Sequence, residues 1–174
     1  MSVHKGFTLI ELVVTIVILA TLAVIAAPRF LNFQSDARIE VMTTVGSSMT
    51  SALSLIYSQA VIDGQDSGDG EITIGGVAVP LYNGYPAVDG SDSFDDLNEQ
   101  VQAWLNIDTV SKTEIVANPD AAPFFIDKST TLNQIYIFYS SAPTTGDRTE
   151  YGCQVRYQNP VDGDHSVRVL TSIC

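Results

Sequence analysis

Along this chain the spacing of apolar residues changes character twice. Residues 7–27 form an almost unbroken apolar run of 21 residues, in which Thr8, Glu11, Thr15 and Thr21 are the polar side chains. At 1.5 Å rise per residue such a helix is about 30 Å long, which matches the hydrocarbon thickness of a bilayer. Past Pro28 the apolar positions thin out to Phe30, Phe33, Ala37, Val41, Val45, Met49, Leu53, Ile56 and Ala60, the spacing of one helical face. Together the two stretches predict a single helix from residue 7 to about residue 62. It would be roughly 80 Å long, apolar all round over 7–27, amphipathic over 28–62, and kinked or locally opened at Pro28.

Beyond residue 62 the period falls to two. Ile72–Ile74 and Val77–Val79 alternate on either side of Gly75-Gly76, a hairpin signal because a type I′ turn needs positive φ at both central positions. Asn83-Gly84 marks a second turn. Ser93 followed by Asp96 predicts a helix start, with Leu97, Val101, Trp104 and Leu105 on one face and Trp104 serving packing rather than a ligand. Further strands are expected at 124–126, 135–139, 155–157 and 167–169, the last two joined through Asn159-Pro-Val-Asp-Gly163. The predicted class is α+β: an antiparallel sheet over 63–174, laid on the amphipathic half of the long helix while the apolar half protrudes.

Charge is distributed as unevenly as hydrophobicity. The chain has 174 residues and a formal net charge of −12, from 20 Asp+Glu against 8 Lys+Arg, with most of the acids in the rear part. Nucleic-acid binding is not expected, because it rests on clustered Lys and Arg that displace counterions. Cys153 and Cys174 enclose the last predicted hairpin. A disulfide there would contribute about 3 kcal/mol through loop entropy and would place the protein in an oxidising compartment; two free thiols in a cytosolic protein are the alternative, which the apolar front disfavours. A cleavable signal peptide ending at Ala26-Ala27 is a further reading of that front, but the run continues into a helical pattern without a break in polarity other than Pro28-Arg29.

Glu11 is the residue out of place. A carboxylate deep in an apolar helix costs about 2.5–3.5 kcal/mol on insertion scales, so such residues have a partner or a function. The surrounding text, Lys5-Gly6-Phe7-Thr8-Leu9-Ile10-Glu11-Leu12, resembles the type IV prepilin signature. The segments 26–38, 82–86 and 153–157 look like those of the mannose-sensitive haemagglutinin pilins. The resemblance implies that residues 1–6 are a leader, removed after Gly6 by a prepilin peptidase that also N-methylates Phe7. It implies the pilin fold, with a surface-variable region 153–174 bounded by the disulfide. It further implies a helical homopolymer assembled by inner-membrane machinery, first membrane-bound and then extracellular, adhering to host or abiotic surfaces, with glycans among the candidate targets, and forming biofilm. Cutting after Gly6 gives Phe7 an α-ammonium, which can pair with Glu11 of a neighbouring subunit and set the axial register; methylation keeps that charge.

Little other chemistry can be assembled. His4 and His165 stand apart, and no nucleophile–base pair, phosphate loop or zinc motif is present, so neither enzyme activity nor a cofactor is expected. Asp63, Asp66, Asp69 and Glu71 form an oxygen-rich loop, weakly a Ca²⁺ candidate, and Asp89, Asp92, Asp95 and Asp96 form a second acidic cluster. Neither has EF-hand spacing, and solvated loops are the expectation. Two other roles stay open on the sequence: a minor pilin or a type II secretion pseudopilin, and a periplasmic binding module held by an uncleaved anchor.

Overall fold

The computed structural model describes residues 6–88, 91–146 and 148–174, and their side chains except at 28–32. The leader residues 1–5 with His4, Asp89 of the second acidic cluster, and the side chains of Pro28 and Phe30 lie outside the described residues. The chain divides into two compact units, Met1–Arg38 and Ile39–Cys174, and helix α1 (Leu9–Ile62) contributes to both.

In the first unit α1 is rich in Ile, Val and Thr, which are mediocre helix formers in water. In lipid a helix still forms from them, because no water is available to take up unpaired backbone groups. The stretch Leu9–Ala27 is long and apolar enough to cross a membrane and is not buried within the chain. Its large apolar side chains from Leu9 to Ile25 are each at least 43% exposed. Burying one such side chain is worth about 1.5–3 kcal/mol, so leaving them all in water would exceed the whole stability of an ordinary domain, about 5–15 kcal/mol. The helix is continuous through Pro28, so the local opening expected there is not seen.

In the second unit the α1 residues Met42, Val45, Met49, Leu53, Ile56 and Ala60 are buried at intervals of three and four. The predicted stripe is therefore right from Val45 onward; at Val41 it is off by one residue, since Val41 is exposed and Met42 takes the core position, and the earlier stripe residues Phe33 and Ala37 are exposed. Two sheets follow. β1 (Asp69–Ile74), β2 (Val77–Tyr82) and β3 (Tyr85–Pro86) form a three-stranded antiparallel sheet. Gly75 and Gly76 make the first turn at φ +60° and +91°, and Asn83 and Gly84 the second at +52° and +80°. Ile72, Val79 and Leu81 from this sheet pack on Ile56 and Ala60.

Helix α2 (Phe94–Leu105) starts as expected: Ser93 and Asp96 form a reciprocal capping box, and Leu97, Val101 and Leu105 are buried. Trp104 is half-buried against the two neighbouring apolar clusters, in a packing role. The second sheet has the order β4-β5-β6-β7-β8, from β4 (Thr109–Ser111), β5 (Phe124–Ser129), β6 (Gln134–Tyr139), β7 (Gln154–Gln158) and β8 (Ser166–Leu170). The four strands β5 to β8 are antiparallel, as the alternation implies. At the edge, however, β4 runs parallel to β5, a correction to a purely antiparallel sheet. The crossover needed for that parallel pair contains a short helix α3 (Lys112–Ala117), capped by Ser111.

One sheet face, with Ile126, Ile135, Ile137, Val155 and Tyr157, meets α1 and α2; the other, with Phe125, Tyr136 and Phe138, packs on Val110 and Ile115. Burial on both faces explains why 124–126 and 135–138 read as continuous apolar runs. Gly46 is the point of closest approach of α1 to the sheet: a Cβ there would lie 2.3 Å from Cγ2 of Val169 on β8.

Candidate functional site

The chemistry-bearing positions cluster at the start of α1. Thr8 is the cap of the helix. Its backbone N–H donates to Glu11 Oε2 at 2.9 Å and its hydroxyl to the same oxygen at 2.8 Å, while the Glu11 N–H donates to Thr8 Oγ1 at 3.3 Å. This is a capping box, and it gives Glu11 an intrachain role that the unpartnered reading of the carboxylate overlooked. The signal was present as Thr-x-x-Glu ahead of an apolar run. Among the described residues no donor is bonded to Oε1. The remaining polar side chains of the apolar stretch are satisfied within the helix as well, Thr15 donating to the Leu12 carbonyl and Thr21 to that of Ile18, each at 2.8 Å. The hydroxyls of the segment are thus paired within the helix, as an apolar environment would require, since no water there can replace a missing bond.

Gly6 and Phe7 sit just ahead of the cap and are exposed. A side chain added at Gly6 would meet no heavy atom within 4 Å, so nothing among the described residues requires glycine there. A cut after Gly6 would leave Thr8 and Glu11 on the same product, so the capping box survives it. The Phe7 ring is 83% exposed.

At the other end of the chain Cys153 and Cys174 are joined, with Cα atoms 4.9 Å apart, and there are no free thiols. The bond fastens the final turn beneath β7, where Ile173 N–H donates to the Gly152 carbonyl at 3.2 Å. The acidic loop behaves differently from a metal cage. Asp63, Asp66, Asp69 and Glu71 are exposed, and Asp63 accepts from Gln59 Nε2 at 2.8 Å. The loop is held instead by Asn83, whose Oδ1 accepts from the Gly68 N–H and whose N–H donates to the Gly68 carbonyl, both at 2.8 Å. Among the described residues no group of three or more His, Cys, Asp or Glu side chains is placed to hold a metal ion.

Two electrostatic features were not legible in the sequence. Asp127, buried on the sheet face that carries α3, pairs with Lys112 at 3.1 Å and Arg148 at 2.8 Å, and Arg148 lies over the rings of Phe125 and Phe138. Asp127, Lys112 and Arg148 come from three separate segments, which spacing alone does not bring together. His165 stacks on Tyr85, which in turn stacks on Tyr57, with ring centroids 3.6 Å and 4.9 Å apart. Burial holds the His165 imidazole below its ordinary value, partly opposed by Asp164.

Residues 1–27 match the family described as "Prokaryotic N-terminal methylation motif". The chain is also similar to the type IV major fimbrial protein FimA of Dichelobacter nodosus, 35% identical over 69 residues, which cover 39% of this chain and 41% of that protein. The chain thus spans about two fifths of the length of the curated relative it matches. No solved structure matches it.

Proposed function

We propose that this chain is a type IV pilin, the major structural subunit of a filament on the cell surface. The observation that carries the reading is that the methylation motif coincides with a helix whose apolar surface is uncovered and whose polar side chains are all internally paired. Such a helix is stable in lipid before assembly and among identical helices afterwards, and a filament core exchanges one apolar environment for the other.

In this reading a prepilin peptidase cuts after Gly6 and methylates Phe7, residues 7–27 polymerise, and the acidic unit faces water. Glu11 first caps its own helix and then takes the Phe7 ammonium of a neighbouring subunit through its second oxygen. Pro28 withholds an N–H from the Val24 carbonyl, so the helix bends there during assembly. Assembly machinery in the inner membrane handles the processed chain, and the finished filament mediates adhesion to surfaces or glycans and biofilm formation. The segments 26–38, 82–86 and 153–157 support the mannose-sensitive haemagglutinin type within the pilins.

Replacing Gly6 with Leu tests the processing step, because no folded neighbour is displaced by the new side chain. The variant is expected to remain in the inner membrane at its leader-containing mass. Mature chains beginning at Phe7 in that variant would overturn the assignment.

A further inference from the structure

The sheet face opposite α1 carries an arrangement of donors that the folding of this chain uses only in part. Along β7, Val155 and Tyr157 point into the core beside α1, so by strand alternation Gln154, Arg156 and Gln158 point to the opposite face. On β8, Val169 approaches α1, which places Ser166 and Arg168 on that same opposite face. The register sets Arg156 directly across from Arg168 and Gln158 directly across from Ser166. Directly opposed residues on one face have their Cβ atoms about 4.5–5.5 Å apart, and like charges in that position destabilise the pair.

Among the described residues no carboxylate relieves this repulsion. Lys112 and Arg148 are both taken by Asp127. Arg156 and Arg168 form no ion pair with any described residue, although the chain carries a net charge of −12. Arg156 donates through Nη1 to the Thr149 carbonyl at 3.0 Å, and its Nε is buried without a partner, as is Ser166 Oγ. Beside them runs a directed chain of hydrogen bonds: the Tyr136 hydroxyl donates to Gln134 Oε1, and Gln134 Nε2 donates to Gln158 Oε1 at 3.2 Å. Its free end is therefore the Gln158 amide N–H, another donor. Two guanidinium groups and an amide N–H thus share one sheet face beside the edge strand β8, and guanidinium groups recognise oxyanions in bidentate fashion.

We infer that Arg156 and Arg168 form a docking site for carboxylates on a second copy of this chain. The inference rests on the filament reading, since a polymer is what brings a second copy within reach. Charge complementarity selects the occupant: each neighbouring copy presents an acidic surface, including the exposed, unligated carboxylates of Asp66, Asp69 and Glu71. Stacking such acidic units side by side costs repulsion, and the arginine pair offsets it where the copies touch. It also gives the β8 edge a charged, polar guard against strand addition.

The test compares wild type with the double variant Arg156→Gln, Arg168→Gln in filaments sheared from the producing cell, across a series of NaCl concentrations. Wild-type filaments should dissociate more readily as salt rises. The double variant should give weaker filaments, on the order of fivefold per lost contact, with a flattened salt dependence, while the detergent-extracted subunit melts no lower than wild type. Wild-type filaments alongside variant filaments of equal strength and equal salt dependence would overturn the inference. So would variant filaments that are intact but lose retention on an acidic polysaccharide, since the site would then face a glycan. Failure to recover the wild-type chain in any filament would instead refute the filament reading itself.

Discussion

Glu11 has two roles in this structure-based reading, and one pair of substitutions separates them. Within the chain its carboxylate caps α1 through two hydrogen bonds from Thr8, at 2.9 Å and 2.8 Å. Between chains, in the proposed filament, it would neutralise the ammonium of a neighbouring Phe7. Glutamine at the third helical position still completes a capping box but carries no charge, whereas alanine completes neither. Losing the cap costs about 1 kcal/mol, a local effect at a helix end that the membrane already stabilises. Losing one partner of an ion pair in a low-dielectric core costs about 3–5 kcal/mol, because the other charge is left uncompensated. At about 1.4 kcal/mol per factor of ten, Glu11→Gln should reduce incorporation into filaments by roughly two to four orders of magnitude, and Glu11→Ala by little more. Both variants should remain at wild-type level in the inner membrane, since removing a charge eases insertion. The assay is immunoblotting of the sheared filament fraction against the membrane pool. If Glu11→Gln assembles like wild type and only Glu11→Ala fails, the cap is what matters and the pairing argument is refuted.

Three further outcomes follow from the second unit. Gly46→Ala places a methyl 2.3 Å from Val169 Cγ2, so overpacking of about 1–3 kcal/mol should outweigh the gain of up to ~1 kcal/mol in helix propensity. A melting shift in detergent that Val169→Ala removes would confirm the contact, and an additive double-mutant cycle would contradict it. Cys174→Ser opens a loop with a sequence separation of 21 and should cost about 3 kcal/mol, read as a lower denaturant midpoint relative to the oxidised protein. His165 has its folded pKa depressed below the unfolded value near 6.5, so its contribution is complete above that pH and is lost as pH falls through the folded value. The melting temperature should therefore drop on acidification below about 6.5 more in wild type than in His165→Phe; equal slopes would count against the stack as the cause.

What could be read ahead of the fold was what depends on neighbours in sequence. Gly75-Gly76 and Asn83-Gly84 turned where positive φ was needed, Ser93 and Asp96 capped α2, and the helical stripe from Val45 to Ala60 met the core. The failures have physical causes of the opposite kind. β4 is a three-residue strand whose partner lies beyond α3, so no local alternation announces it, and its pairing is parallel. Met42 rather than Val41 faces the core because both are apolar and one residue apart, and only the packed sheet chooses between them. Glu11 stands out in the sequence for its charge, although its spacing from Thr8 also carries the cap. The Asp127 pairs, the Tyr57–Tyr85–His165 stack and the opposed arginines depend on strand register and on loops that cross the sheet.

The most direct measurement is the intact mass, with N-terminal mapping, of the main protein in filaments sheared from the surface of the producing cell. The expected result is this chain beginning at methylated Phe7 with Cys153 and Cys174 oxidised. Its absence from the filaments while processed chains stay in the membrane would move it to the minor pilins or pseudopilins, and an intact chain still carrying residues 1–6 would contradict processing and polymerisation together.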